Sequence, residues 1–294
     1  MTRRARRLWI WGPACLVVLL ALAGCGDRGT DPDARGQSDP GPVHVHGLGV
    51  NPADGALFIA THTGLFRAAS GERTARRVAG RYQDTMGFTV TGPDRFLGSG
   101  HPDLREKLPP FLGLIESRDA GQSWQARSLQ GRADFHVLEA SGQRVYGYGS
   151  DWETRRPQFL TSADGGRRWD RLNVPEPLIS LAISPSDPLR LTASGERRVF
   201  VSRDGGRSWK RENAPAAGLL AWNARGRFLA GRDGRVWSAG AGNSATWKAV
   251  GGVGGQPAAF DRGRAAELLV ALHDGTIKQS TDGGLTWTVR SEPA

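Results

Sequence analysis

Four segments of this 294-residue chain repeat one pattern: SRDAGQSW from 117, SADGGRRW from 162, SRDGGRSW from 202 and STDGGLTW from 280. The shared signature is S-x-D-x-G-x-x-W, usually with Ser or Thr just before the Trp. Its chemistry suits a tight hairpin turn. The Asp accepts backbone N–H bonds, the hydroxyls support it, and Gly takes a backbone angle that other residues resist. The Trp then opens the next strand and packs between neighbouring sheets. The residues carrying this structural role are Asp119 with Trp124, Asp164 with Trp169, Asp204 with Trp209, and Asp282 with Trp287. Trp247 ends a decayed copy, GAGNSATW, that lacks the Asp. The five tryptophans lie 45, 40, 38 and 40 residues apart.

A period of about 40 residues built from short strands marks a β-propeller. Six units can be phased, each running apolar strand, turn, apolar strand, loop, strand, turn, strand. Their first strands fall at 43–50, 85–91, 134–140, 178–184, 218–224 and 257–261. Their second strands fall at 56–62, 95–101, 144–150, 189–195, 227–233 and 268–274. No helical period competes after residue 43. The expected fold is therefore all-β, a six-bladed propeller, with seven blades the main alternative. The first unit has lost its turn motif to AASGERTARRV, and no strand is left over for a swapped closure.

The S-x-D-x-G-x-x-W motif, over about 43–292, resembles the Asp-box or BNR repeat of sialidases, related six-bladed glycosidases, sortilin-type receptors and photosystem assembly factors. HVHGLGV, THTGLF, GSGHPD and GLIESRDAGQSW together resemble a group of bacterial lipoproteins labelled glycosylhydrolase or sialidase-like. The repeat is specific for fold and poor for function, because it sits at a structural turn. Sialidases use an arginine triad, a Tyr–Glu nucleophile pair, an Asp acid/base and an early F/Y-R-I-P motif. This chain has no R-I-P, only RRP at 155–157, and its tyrosines are Tyr82, Tyr146 and Tyr148. The resemblance therefore does not extend to the sialidase catalytic set. An enzyme on this scaffold would be a different glycoside hydrolase.

The chain opens with Arg3, Arg4, Arg6 and Arg7 and an apolar run from Leu8 to Gly24. That run is short for a membrane span and ends in small residues, as a signal peptide does. Leu22-Ala23-Gly24-Cys25 resembles a bacterial lipobox, which implies cleavage before Cys25 and lipidation of its thiol and new amino end. Residues 1–24 are then the lipoprotein signal peptide. Residues 25–42, the lipidated Cys followed by a polar stretch rich in Gly, Pro and Asp, form a flexible tether. Residues 43–292 form the propeller. The expected location is the extracytoplasmic face of the cell membrane, held by lipid, as a monomer. Four of the ten net positive charges leave with the signal. A nucleic-acid partner is not expected outside the cytoplasm. Cys15 and Cys25 are the only two cysteines, so the propeller has no thiol for a disulfide, a zinc–cysteine site or a nucleophile.

Histidine is scarce, with six in the chain, yet His44 and His46 stand two apart in PVHVHGLGV. Read as a strand, that stretch turns both rings to one side. Aligning the first strands puts His46 with Met86 and His136, and His44 with Asp84 and Asp134. In blades four and five the corresponding residues are Leu178 with Ser180 and Gly218 with Leu220, followed in blade six by small residues near Pro257. The second strands end at His62, His101, Ser150 with Asp151, Glu196, Arg232 and His273. All six histidines then map to one end of the channel, opposite the turn motifs. His and Met together suit a soft or borderline metal ion, copper ahead of zinc. The expected inner layer is His46, Met86 and His136. The expected outer shell is His44, His62, Asp84, His101 and Asp134. The bland reading of the same residues is hydrogen-bonded channel lining, with Met86 a gap-filler.

Two long loops, 100–111 and 149–159, offer Asp103, Asp151 and Glu153 as carboxylates, with Trp152 as a stacking surface. A pair set ~5–9.5 Å apart would hydrolyse a glycosidic bond. The expected function is thus a surface lipoprotein binding a small ligand or a metal at the His/Met/Asp cluster. The alternatives are a glycoside hydrolase or glycan-binding protein using the loop carboxylates, or a protein-docking propeller.

Overall fold

The computed structural model describes Asp39, residues 41–240 and residues 246–293. The expected signal segment and Cys25 lie outside the described residues. Six antiparallel sheets follow one another along the chain, each made of four consecutive strands. Blade one holds β1 (Val45–Val50), β2 (Leu57–Thr61), β3 (Gly64–Ala68) and β4 (Arg76–Arg77). Blade two holds β5 (Asp84–Gly92), β6 (Arg95–His101), β7 (Leu114–Ser117) and β8 (Gln125–Ser128). Blade three holds β9 (Ala133–Ser141), β10 (Arg144–Asp151), β11 (Pro157–Ser162) and β12 (Asp170–Leu172). Blade four holds β13 (Leu178–Ile183), β14 (Leu191–Gly195), β15 (Val199–Ser202) and β16 (Lys210–Glu212). Blade five holds β17 (Gly218–Asn223), β18 (Gly226–Gly231), β19 (Arg235–Ala239) and β20 (Lys248–Gly252). Blade six holds β21 (Pro257–Arg262), β22 (Leu268–Leu272), β23 (Ile277–Ser280) and β24 (Thr288–Ser291). The chain is all-β among the described residues, and the six-bladed reading holds over the seven-bladed one.

The second strand of each blade is sandwiched between neighbouring blades, so both its faces must be apolar or small. LFIAT in β2 and LLVAL in β22 are buried at every position. The fourth strands lie at the rim and are correspondingly polar and short, as in Gln125–Ser128 and Lys210–Glu212.

Each interface between blades has its own apolar cluster, and the tryptophans explain why. Trp124 packs with Phe58, Leu65 and Phe96 between blades one and two. Trp169 packs with Phe135 and Leu160 between blades two and three, and Trp209 with Tyr146 and Phe159 between three and four. Trp237 and Trp247 serve the next interface and Trp287 the one after. Blade one has no such Trp. The ring closes there through Val45, Leu48 and Phe66 against Ala259, Leu269 and Ile277. The chain end reinforces that closure, with Ser291 Oγ donating to the Arg73 carbonyl at 2.8 Å. Burying one such Phe or Leu side chain stabilises by roughly 1.5–3 kcal/mol, so six clusters of this size dominate the fold.

The S-x-D-x-G-x-x-W turns share one hydrogen-bond set. In the first, Ser117 Oγ donates to Asp119 Oδ1 (2.9 Å), Gly121 N donates to Ser117 Oγ (2.8 Å) and Ser123 N donates to Asp119 Oδ1 (2.9 Å). The same bonds recur at Asp164, Asp204 and Asp282. These donors hold all four carboxyls below the usual range, so each turn is built around a carboxylate.

Candidate metal centre

The first strand of a blade would normally alternate its side chains between two faces. Here five of the six first strands carry a bulge near the start, which re-aims one residue. The register breaks fall at His46, Met86, His136, Ile179 and Ala258. These five and Leu219 of blade five line the central channel. The equivalents of His46 in blades four and five are therefore Ile179 and Leu219, one residue away from Ser180 and Leu220. In blade four the bulge at Ile179 shifts the phase; blade five has no bulge, and Leu219 faces the channel from a regular ladder opposite Ala230. The result is a channel mouth with His, Met and His on three blades and apolar side chains on the other three.

Asp84 opens β5 and Asp134 is the second residue of β9, each two residues before a bulge. Glycine makes room for both. Gly100, facing Thr85 in the ladder, has φ +139°, and a Cβ there would lie 2.1 Å from the Asp84 carbonyl oxygen. At Gly149 a Cβ would lie 1.8 Å from the Asp134 carbonyl oxygen. Larger residues at either position would push the bulged strand, and its carboxylate, away.

Asp84 lies between two imidazoles. Its Oδ2 is 3.1 Å from His62 Nδ1 and its Oδ1 is 3.8 Å from His46 Nε2. Each of the three residues offers a ligand atom within 4.8 Å of the other two; no other group of His, Cys, Asp and Glu among the described residues converges so closely. Donor atoms on a tetrahedral zinc stand about 3.4 Å apart, so closing on an ion needs movements of about an ångström. His46 Nε2 and Asp84 Oδ1 are both buried without a hydrogen-bond partner, an arrangement that costs about 1–3 kcal/mol per group. Burial first, then the neighbouring His62, His136 and His44, lowers the His46 pKa to about 4. Its ring is thus neutral at pH 7, the form that binds a metal. Burial raises the Asp84 pKa, with His62 and His101 opposing.

Beside this trio stands a second carboxylate. Asp134 is 3% exposed. Its Oδ2 accepts from His136 Nε2 at 2.9 Å and lies 3.6 Å from His101 Nε2. That hydrogen bond, opposed by burial, raises the His136 pKa. Asp134 Oδ1 is buried without a partner. His101 Nδ1 donates to the Pro110 carbonyl at 2.8 Å.

The opening pair His44 and His46 does not share a strand. β1 begins at Val45, and His44 precedes it with φ +53°, outside the extended region. Its exposed ring instead stands edge-on to His62 at 6.1 Å. His273 has no contact with this group; its backbone N–H bonds the Gln256 carbonyl on blade six. Five of the six histidines gather at the mouth, on blades one to three. Pro110 was not anticipated. Nor were Glu139 and Asp261, which face the channel from opposite blades and are both pushed up by burial, Glu139 to about 8. Their sequence signal is an acid following an apolar stretch of a first strand, VLE in β9 and AAFD in β21.

The loop carboxylates have other work. Asp103 is buried and bidentate to Arg105, and it also accepts from Tyr82 N at 2.9 Å. Asp151 caps its turn by accepting from Thr154 N and Oγ1, both at 2.8 Å. These donors lower both pKa values. A general acid needs the opposite shift. Glu153 is exposed. Trp152 packs on Phe111 at 5.0 Å and under Arg155 at 4.0 Å, and Phe111 meets the His101 ring at 5.5 Å. The two long loops thus buttress His101.

No protein-family model matches the chain, and no curated protein matches it in sequence. Solved β-propellers do match in structure. A gluconolactonase, XC5397 of Xanthomonas campestris, shares 13% identity over 79% of this chain and 84% of its own, with a TM-score of 0.60. Virginiamycin B lyase of Staphylococcus aureus shares 10% identity over 87% and 86%, with a TM-score of 0.56. YCF48 bound to D1 peptide shares 16% identity over 85% and 81%, with a TM-score of 0.52. At these identities the likeness is one of fold: the chain is a six-bladed β-propeller, similar in architecture to enzymes and to a peptide-bound protein alike.

Proposed function

We propose that this chain is a lipid-anchored Asp-box propeller of the extracytoplasmic membrane face that binds a transition-metal ion, copper or zinc, at its channel mouth. One observation carries the reading: His46, His62 and Asp84 converge within 4.8 Å, and two of the facing atoms are buried and unpartnered. Two imidazoles with a carboxylate suit zinc or copper(II), and Met86 on the neighbouring bulge adds a soft donor that favours copper. The protein's part is to hold the donors on rigid strands around a narrow channel of ≈ 110 Å³. The glycan-hydrolase reading has less support, because Asp103 and Asp151 are committed to structural hydrogen bonds.

The test is metal content by mass spectrometry on full-length protein, purified in detergent from cells supplied with copper and zinc. Near-stoichiometric metal that is lost in the His62→Ala, Asp84→Asn double variant supports the reading. Absence of metal from the native protein, with no uptake on dialysis against either ion, sinks it.

A further inference from the structure

The first nest repeats one blade further round. His62, at the end of blade one's second strand, faces Asp84 on the first strand of blade two. His101, at the end of blade two's second strand, faces Asp134 on the first strand of blade three. The bulge residues complete the pattern. Met86 stands on the blade between those of His46 and His136 and lines the channel with them.

The second nest has its own marks of a ligand site. A carbonyl oxygen can only accept, so the 2.8 Å contact to Pro110 fixes the proton of His101 on Nδ1. Nε2, the ring's other nitrogen, faces Asp134 Oδ2 across 3.6 Å, beyond hydrogen-bond length. A cation seated between them takes both as ligands. A ring nitrogen whose partner nitrogen donates to a backbone carbonyl is also the usual arrangement behind a metal-ligating histidine. Asp134 Oδ1, with the residue 3% exposed, is buried and unpartnered. His136 Nε2, 2.9 Å from Asp134 Oδ2, offers the second imidazole.

We infer that the channel mouth holds two adjacent cation sites, not one: His46–His62–Asp84 and His101–Asp134–His136. The ligand class is a first-row divalent transition ion at each. Each site is reached from solvent through exposed rings: His62 at the first is 59% exposed, and His101 and His136 at the second are 40% and 48% exposed. The inference rests on the proposed metal-binding reading and adds a stoichiometry to it.

The experiment counts ions. Full-length protein in detergent, stripped with chelator, is dialysed against zinc alone and, separately, copper(II) alone, and bound metal per chain is measured. Native protein should hold two. His101→Ala with His136→Ala, two exposed rings whose loss leaves the core intact, should hold one. His62→Ala with Asp84→Asn should also hold one, and the quadruple variant none. Melting curves in chelator check that each variant is folded, and Asp134→Asn provides an independent second-site variant. A native value of one, whichever variants abolish it, overturns the two-site inference and leaves the metal reading standing. A native value of zero overturns both.

Discussion

Replacing His46 with Gln tests how dry the channel mouth is. The His46 side chain is 24% exposed, and its pKa falls from 6.5 to about 4. At 1.36 kcal/mol per pH unit, that depression corresponds to about 3 kcal/mol. The sign follows from proton binding. Between pH 6.5 and 4 the unfolded chain protonates His46 and the folded chain does not, so stability falls as the pH falls. Above 6.5 both states are neutral and the term vanishes. Gln cannot titrate. The native protein should therefore lose about 3 kcal/mol relative to His46→Gln between pH 7.5 and pH 4. His136 titrates with the opposite sign, because its pKa is raised; its contribution is present at low pH and fades as the pH rises through its folded value. It is common to both proteins and cancels in the difference. The assay is urea unfolding at pH 7.5, 6.5, 5.5 and 4 with chelator throughout. A native-minus-variant difference constant to within about 0.5 kcal/mol would refute the reasoning, by showing that water reaches Nε2 freely.

Three other outcomes are expected. Glu139→Gln should be more stable than the native protein above pH 8: burial raises the Glu139 pKa to about 8, so its stabilising proton is lost as the pH rises through that value, and urea midpoints at pH 6 and 9 would show the crossover. Phe135→Ala should cost about 3–5 kcal/mol, read by thermal unfolding, because the ring is fully buried and meets Trp169 at 5.3 Å. Gly100→Ala should weaken zinc binding at least about tenfold in calorimetry, since its Cβ would collide with the Asp84 backbone; unchanged affinity would show that the bulge does not set the carboxylate.

The sequence by itself determined the architecture. A 40-residue period of turn Asp and packing Trp leaves few alternatives to a ring of four-stranded blades, because each Trp needs a neighbouring blade to cover it. The same period aligned His46 with Met86 and His136, and Asp84 with Asp134, before any coordinates. Tertiary structure decided the chemistry of the mouth. The bulges shift the first strands by one residue, which separates His44 from His46 and puts Ile179 where two-residue alternation would put Ser180; blade five has no bulge, and its regular strand turns Leu219 to the channel. Bulges depend on register and on close backbone approach at Gly100 and Gly149, neither of which is a property of a single strand. The pairing of His62 with Asp84, and of His101 with Asp134, crosses from one blade to the next. The opposition of Glu139 and Asp261 spans the channel between blades three and six. Burial, orphaned acceptors and shifted pKa values arise only once the ring has closed, because only then are polar groups of separate blades held together away from water.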